Sequence, residues 1–247
     1  MTPITVRTFT PDLVLSKAAS AISLIVSERS KKGKLLLLLS GGSAIQMYRQ
    51  VFEELSSSQQ DFSMLTVSLF DERFVPVDSA DSNAKQLDDA GVVDLVHKMN
   101  ARWLPYLVTG QSGQEVAAQV SRQFSSLIDE GSQLIILAGL GDDGHTAGLL
   151  PTHHKLTLNK VFESTQVVEY YQLPDDTVNP YRYRVTATPA LLPHADLVIL
   201  YAVGDKKHSP LQRLVQREGT LSQLPALALL SSQELIVITD QSVEEAT

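Results

Sequence analysis

KLLLLLSGGSAIQMYRQVFEEL, residues 34–55, contains a strand, a turn and a helix in one unbroken line. The leucine run Leu35–Leu39 suits a strand covered on both faces, because a half-exposed strand would alternate apolar and polar positions. SGGS follows, and residues 44–55 then carry apolar side chains at helical spacing. The same start, a strand ending in a polar turn, recurs at 65–70 before Asp71, at 133–138 before Gly139 and at 197–203 before Gly204. Leu235–Thr239 reads as a last strand. Helices are expected after Thr10-Pro11, with apolar positions from Leu15 to Val26 and Gly33 as the stop, and at 83–98, 114–130 and 206–217. This alternation predicts an α/β fold with a mainly parallel sheet and helices on both faces. Such sheets hold ligands at the carboxyl ends of their strands, often where the strand order reverses. Four polar motifs begin at such ends here. No repeat or linker divides the 247 residues, so 1–247 is read as one domain. Residues 152–180 look irregular and polar, with the character of a flap, and 56–60 look like a surface loop.

Composition narrows the function. With 43% hydrophobic and 19% charged residues, the chain can bury a core without a metal or disulfide staple. It has no cysteine, which removes thiolate catalysis and Cys-ligated zinc and fits a reducing compartment. The start MTPITVRTFTPDL has no secretory pattern, and the apolar runs are far shorter than the ~20 residues of a membrane span. A cytoplasmic protein without membrane contact is expected. The formal net charge of −8 argues against nucleic-acid binding, so an anionic ligand must be held by a local cluster of cations.

Four constellations could carry chemistry. In SGGS, Gly41 and Gly42 lack β-carbons and let backbone N–H groups approach a ligand, while the helix N-terminus behind Ser43 favours an anion. The alternative is a tight turn with Ser43 as helix cap. DERFVPVDSADSN, residues 71–83, places Asp71, Glu72 and Arg73 at a strand end, where Arg73 can clamp an oxyanion; Asp81-Ser82-Asn83 reads first as a helix cap. GLGDDGHTAGLLP, residues 139–151, sets Asp143 two positions before His145, so that in a turning loop the carboxylate can orient the imidazole and raise its basicity. That is the least apparatus needed to activate water. His153 and His154 invite a metal reading together with Asp143 and His145, but the spacing matches no standard ligand pattern and the pair reads more simply as a polar loop. No metal is expected. Finally, Arg184 in RYRVT and Lys207 in VGDKK can complete an anion pocket with Arg73. Taken singly, they would be a surface strand residue and the first turn of a solvated helix.

In this order and at these separations, SGGS at 40–43, DERFVP at 71–76 with Ser82-Asn83, GDDGHTAGLLP at 141–151, RVT at 184–186 and the G-x-x-K pattern ending at Lys207 resemble the 6-phosphogluconolactonase family. That family is related in fold to glucosamine-6-phosphate deaminase. The resemblance covers most of the chain and implies a three-layer α/β/α sandwich with a Rossmann-like sheet. It implies hydrolysis of 6-phospho-D-glucono-1,5-lactone in the oxidative pentose phosphate pathway, with His145 as general base and Asp143 as its partner. By the same resemblance Arg73 and Lys207 bind substrate, Arg184 occupies the arginine of the family's RxT motif, and no cofactor is needed. The expected partner is a small sugar phosphate, with the chain a monomer or weak homodimer. The deaminase is the nearest competitor, but its pattern reads DEY where this chain has Asp71-Glu72-Arg73, and carries a glutamate five residues beyond the loop histidine. Here that place is Leu150. A non-catalytic sugar-phosphate sensor on the same fold would keep the cations without needing the Asp143–His145 pair. The chain departs from the family in continuing SGGS with Ala44-Ile45 where Thr-Pro is usual, which removes a hydroxyl and a helix-start proline, and in the stretch after Pro151.

Overall fold

All five leucines of Leu35–Leu39 are buried, as are all five residues of Leu65–Leu69 and of Leu235–Thr239. Strands with no exposed side belong in the middle of a covered sheet. The computed structural model describes residues 2–177 and 179–244. In chain order it contains β1 (Ile4–Thr8), α1 (Val14–Ser30), β2 (Leu35–Leu39), α2 (Ile45–Ser57), β3 (Leu65–Leu69), β4 (Asp71–Arg73), α3 (Asn83–Asp89), α4 (Val92–Lys98) and β5 (Arg102–Leu104). There follow α5 (Gly113–Asp129), β6 (Gln133–Gly139), α6 (Lys155–Thr157), β7 (Val168–Gln172), β8 (Tyr183–Ala187), β9 (Leu197–Ala202), α7 (His208–Gln216) and β10 (Leu235–Thr239).

Seven strands form one parallel sheet in the order β1-β10-β9-β6-β2-β3-β5, with helices on both faces. From β2 the chain proceeds outward through β3 to β5. It then returns to β6 on the other side of β2 and proceeds the opposite way through β9 and β10 to meet β1. The order therefore reverses between β2 and β6, and the crevice beyond their carboxyl ends is where such sheets bind ligands. Among the described residues no helix is long and apolar enough to cross a membrane.

The central strands follow the sequence reading, and α5 begins on a full capping box between Ser112 and Glu115. The differences are local and have physical causes. The helix expected over 83–98 is two helices, because Gly91 adopts a left-handed backbone (φ 76°) between them. The expectation of an irregular, flap-like stretch at 152–180 is also corrected. That stretch holds α6, a π turn at Leu158–Phe162 and β7, and Val161, Phe162, Tyr171 and Leu173 bury themselves with Leu149 and Leu150 in a second apolar cluster. Residue 178 within it lies outside the described residues.

A second, antiparallel sheet, β4-β8-β7, was not expected at all. Its register pairs Asp71 with Thr186 and Arg73 with Arg184, which carries a late segment of the chain to the rim of the main crevice.

Candidate active site

His145, Asp143, Gly41, Gly42, Ser43, Asp71, Arg73, Arg184 and Lys207 all line one cavity of about 490 Å³ at the β2/β6 reversal. They arrive from several strand ends, and Arg184 from β8. The loop after β2 brings Ser40 to Ser43, the continuation of β3 brings β4, the loop after β6 brings residues 140–147, and the loop after β9 brings Lys207.

The loop after β6 is shaped to hold one imidazole. Gly141 N–H donates to the His145 carbonyl (2.8 Å), which folds the loop back on itself. A β-carbon on Gly141 would lie 2.0 Å from His145 Nδ1, so only glycine lets the ring pass this close to the backbone. Asp143 Oδ1 accepts both the His145 backbone N–H (3.0 Å) and ring Nδ1 (2.6 Å). Burial works to raise the Asp143 carboxyl, but its bonds to His145 outweigh it and hold the group below the usual carboxylate range. An ionised carboxylate can only accept, so Nδ1 carries the proton and the neutral ring keeps its lone pair on Nε2. Beyond His145, Thr146 Oγ1 donates to the Gly139 carbonyl (3.0 Å) and Gly148 N–H donates to Thr186 Oγ1 (2.9 Å), tying the loop to β6 and β8.

Three cations reach the cavity in three different states. Arg184 donates through Nη2 to Asp71 Oδ2 at 2.6 Å, with both side chains buried. Lys207 Nζ donates to Asp142 Oδ1 at 2.5 Å in a more open setting. Arg73 makes no ion pair with any described carboxylate. Its Nη1 donates to the Asp81 carbonyl (2.9 Å), and its guanidinium lies 4.1 Å over the Tyr181 ring, whose hydroxyl donates to Asp81 Oδ1 (3.0 Å). This stacking aims the group while leaving its charge available to an anion.

Glu72 has a structural task. It is fully buried and accepts from the backbone N–H groups of Arg73, Asn83 and Ala84 (2.7, 2.7 and 2.9 Å) and from Ser82 Oγ (3.0 Å), fastening β4 to the start of α3. Burial nonetheless pushes its carboxyl up to about 6, against those four donors. Ser82 caps α3 through Lys85 N–H, as the sequence suggested. Ser43 caps no helix. A 3₁₀ turn at Gly42–Ala44 leads into α2, and neither helical start has a side-chain cap.

Among the cavity residues to which sequence reasoning gave no site role are Asp142, Asn83 and Tyr201. Asp142 was passed over as one of two adjacent carboxylates. Asn83 reads from the sequence as part of a cap and of the family motif but is given no site role, yet its Nδ2 donates to the Asp71 carbonyl (3.0 Å) and its side chain occupies the space a Gly41 β-carbon would need. Tyr201 sits in an apolar strand whose last residues gave no polar signal. Among the described residues, His153 and His154 do not join His145 and Asp143; they gather with Asp176 instead.

A sequence model of the family described as glucosamine-6-phosphate isomerases/6-phosphogluconolactonase matches residues 10–238. A 6-phosphogluconolactonase of Pseudomonas putida is 31% identical over 201 residues, covering 81% of this chain and 77% of the relative. One from Pseudomonas aeruginosa is 30% identical over 216 residues, covering 86% and 84%. The crystal structure of a 6-phosphogluconolactonase from Shewanella baltica superposes with a TM-score of 0.74 over 97% of each chain at 22% identity, a likeness of fold.

Proposed function

Because this chain belongs to the family of glucosamine-6-phosphate isomerases and 6-phosphogluconolactonases, we propose that it hydrolyses 6-phospho-D-glucono-1,5-lactone to 6-phosphogluconate in the oxidative pentose phosphate pathway. The curated relatives named as lactonases support the reaction. The observation that carries the mechanism is the 2.6 Å contact between Asp143 and His145 Nδ1 on the wall of a cavity that three cations also reach.

His145 Nε2 takes a proton from water as the water oxygen bonds to C1 of the lactone. The tetrahedral oxyanion collapses by breaking the bond from C1 to the ring oxygen, and the imidazolium returns its proton to that leaving oxygen. Asp143 keeps the required tautomer and stabilises the transient imidazolium. Lys207 and an arginine hold the phosphate, with the amides of SGGS contributing. Arg73 or a loop N–H meets the oxyanion, a donor whose loss costs ~10²–10³ in rate in comparable sites.

The isomerase branch of the family is the second reading. Leu150 stands where the deaminase pattern carries its glutamate, and it is buried in the second apolar cluster with no carboxylate chemistry to offer. The chain acts as one domain, in the cytoplasm, as a monomer or weak homodimer; the absence of cysteine accords with a reducing compartment.

Hydrolysis of freshly made lactone, coupled to 6-phosphogluconate dehydrogenase and corrected for spontaneous opening, tests the proposal. His145→Ala should lower kcat by at least ~10³ with the circular dichroism spectrum unchanged. Near-normal turnover in that variant would refute the mechanism, and no acceleration by the wild-type chain would refute the activity.

A further inference from the structure

His153, His154 and Asp176 lie outside the cavity described above, and their ligand atoms all fall within 4.8 Å of one another. We propose that these three side chains form a second site, one that binds a first-row divalent cation of the zinc class. Two imidazoles and a carboxylate are the donors such ions prefer, and this set leaves one position of a tetrahedron for water.

The distances suit that geometry. At donor distances of about 2.0–2.2 Å the edges of a zinc tetrahedron are ~3.4 Å long. His154 Nε2 stands 2.8 and 3.0 Å from the two Asp176 oxygens, and His153 Nε2 stands 3.8 Å from Oδ2. The side chains of His153, His154 and Asp176 are 85%, 38% and 57% exposed, so side-chain rotations can bring donors that now lie within 4.8 Å of one another to one ion. The rings of His153 and His154 are already side by side, with centroids 4.4 Å apart and planes inclined by 31°.

Both backbone segments that carry the donors are anchored. His154 N–H donates to Thr152 Oγ1 (3.1 Å), and Thr152 N–H donates to the Ser222 carbonyl (2.9 Å). On the opposite side, Arg182 closes the β7–β8 connection by donating to the Leu173 carbonyl (2.9 Å) and to Asp175 (2.5 Å). The neighbouring carboxylate is thus occupied, and Asp176 is the one that faces the histidines. A bound ion would join the segment after Pro151 to the β7–β8 connection, two parts of the chain 22 residues apart in the 154–176 contact.

Isothermal titration of zinc chloride into the full-length chain, stripped with chelator and carrying no affinity tag, tests the site. The wild-type chain should bind one zinc with micromolar affinity. Asp176→Asn and His153→Ala should each weaken binding by at least ~10-fold with unchanged circular dichroism, and zinc should raise the Tm of the wild-type chain but not of Asp176→Asn. His145→Ala should bind zinc as the wild-type chain does. Absence of binding, binding indifferent to both substitutions at the site, or binding lost in His145→Ala instead, would each overturn the proposal.

Discussion

Arg184 and Asp71 meet at 2.6 Å with side chains 9% and 5% exposed, whereas Lys207 and Asp142 meet at 2.5 Å with side chains 19% and 51% exposed. The lengths are alike and the roles are not. A buried pair is part of the scaffold, since removing one partner leaves a charge that has lost both water and its counter-ion. A pair open to water on one side can be exchanged, because solvent or another anion readily replaces the carboxylate. The cavity therefore combines one fixed cation, Arg184, with one, Lys207, whose partner Asp142 is open to exchange; under the proposed function the substrate's phosphate is the competitor.

Arg184→Ala breaks this comparison most strongly. It strands Asp71 in the interior and should cost about 3–5 kcal/mol, seen as a fall in Tm of about 10 °C in calorimetry. A loss below about 1 kcal/mol would place the pair among exchangeable contacts. Lys207→Ala should behave in the opposite way, leaving Tm nearly unchanged while raising the KM for the phosphorylated lactone ~10-fold or more. A matching loss of stability would erase the distinction between the two pairs.

Glu72 sharpens the contrast from next door. It is as deeply buried as Asp71 but is met by N–H and O–H dipoles where Asp71 meets a guanidinium, and its carboxyl is raised from 4.5 to about 6. A folded-state value above the unfolded one means that the native chain binds the proton more tightly. The contribution to stability is therefore full below about 4.5 and is lost as pH rises through about 6. It should amount to about 2 kcal/mol, read as the difference in pH slope between wild-type and Glu72→Gln denaturant melts. Equal slopes would show that the four donors balance the burial. The smallest effect is expected for Asp142→Asn, which should lower KM about two- to five-fold by freeing Lys207, more so at low salt. An unchanged or higher KM would mean that Asp142 orients the lysine for substrate.

How legible these features were depended on the range of the interactions that make them. Leu35–Leu39, residues 133–138 and Leu235–Thr239 declared themselves because a strand buried on both faces must be continuously apolar. Asp143 and His145 were readable because their contact is made within one loop, two residues apart. The Asp71–Arg184 pair spans 113 residues, and Lys207–Asp142 spans 65. Nothing in local patterning indicates which carboxylate each cation will meet. β4 was invisible for a related reason: three charged residues, Asp71 to Arg73, have no strand pattern and become a strand only by pairing with β8. The grouping of His153 and His154 with Asp176 was hidden in the same way, because Asp176 lies 22 residues beyond His154, in the β7–β8 connection.

The sequence by itself determined a parallel α/β sheet with its polar loops at the strand ends, an acidic protein without thiols, and the pairing of a carboxylate with an imidazole, all of which rest on composition or on contacts a few residues long. Only the tertiary structure decided that the strand order reverses between β2 and β6, that the small antiparallel sheet carries Arg184 to Asp71, and that one ion pair is nearly closed to water while the other is open to it. Those outcomes depend on the packing of distant segments, and burial, which packing alone creates, sets what a charge costs and what it can do.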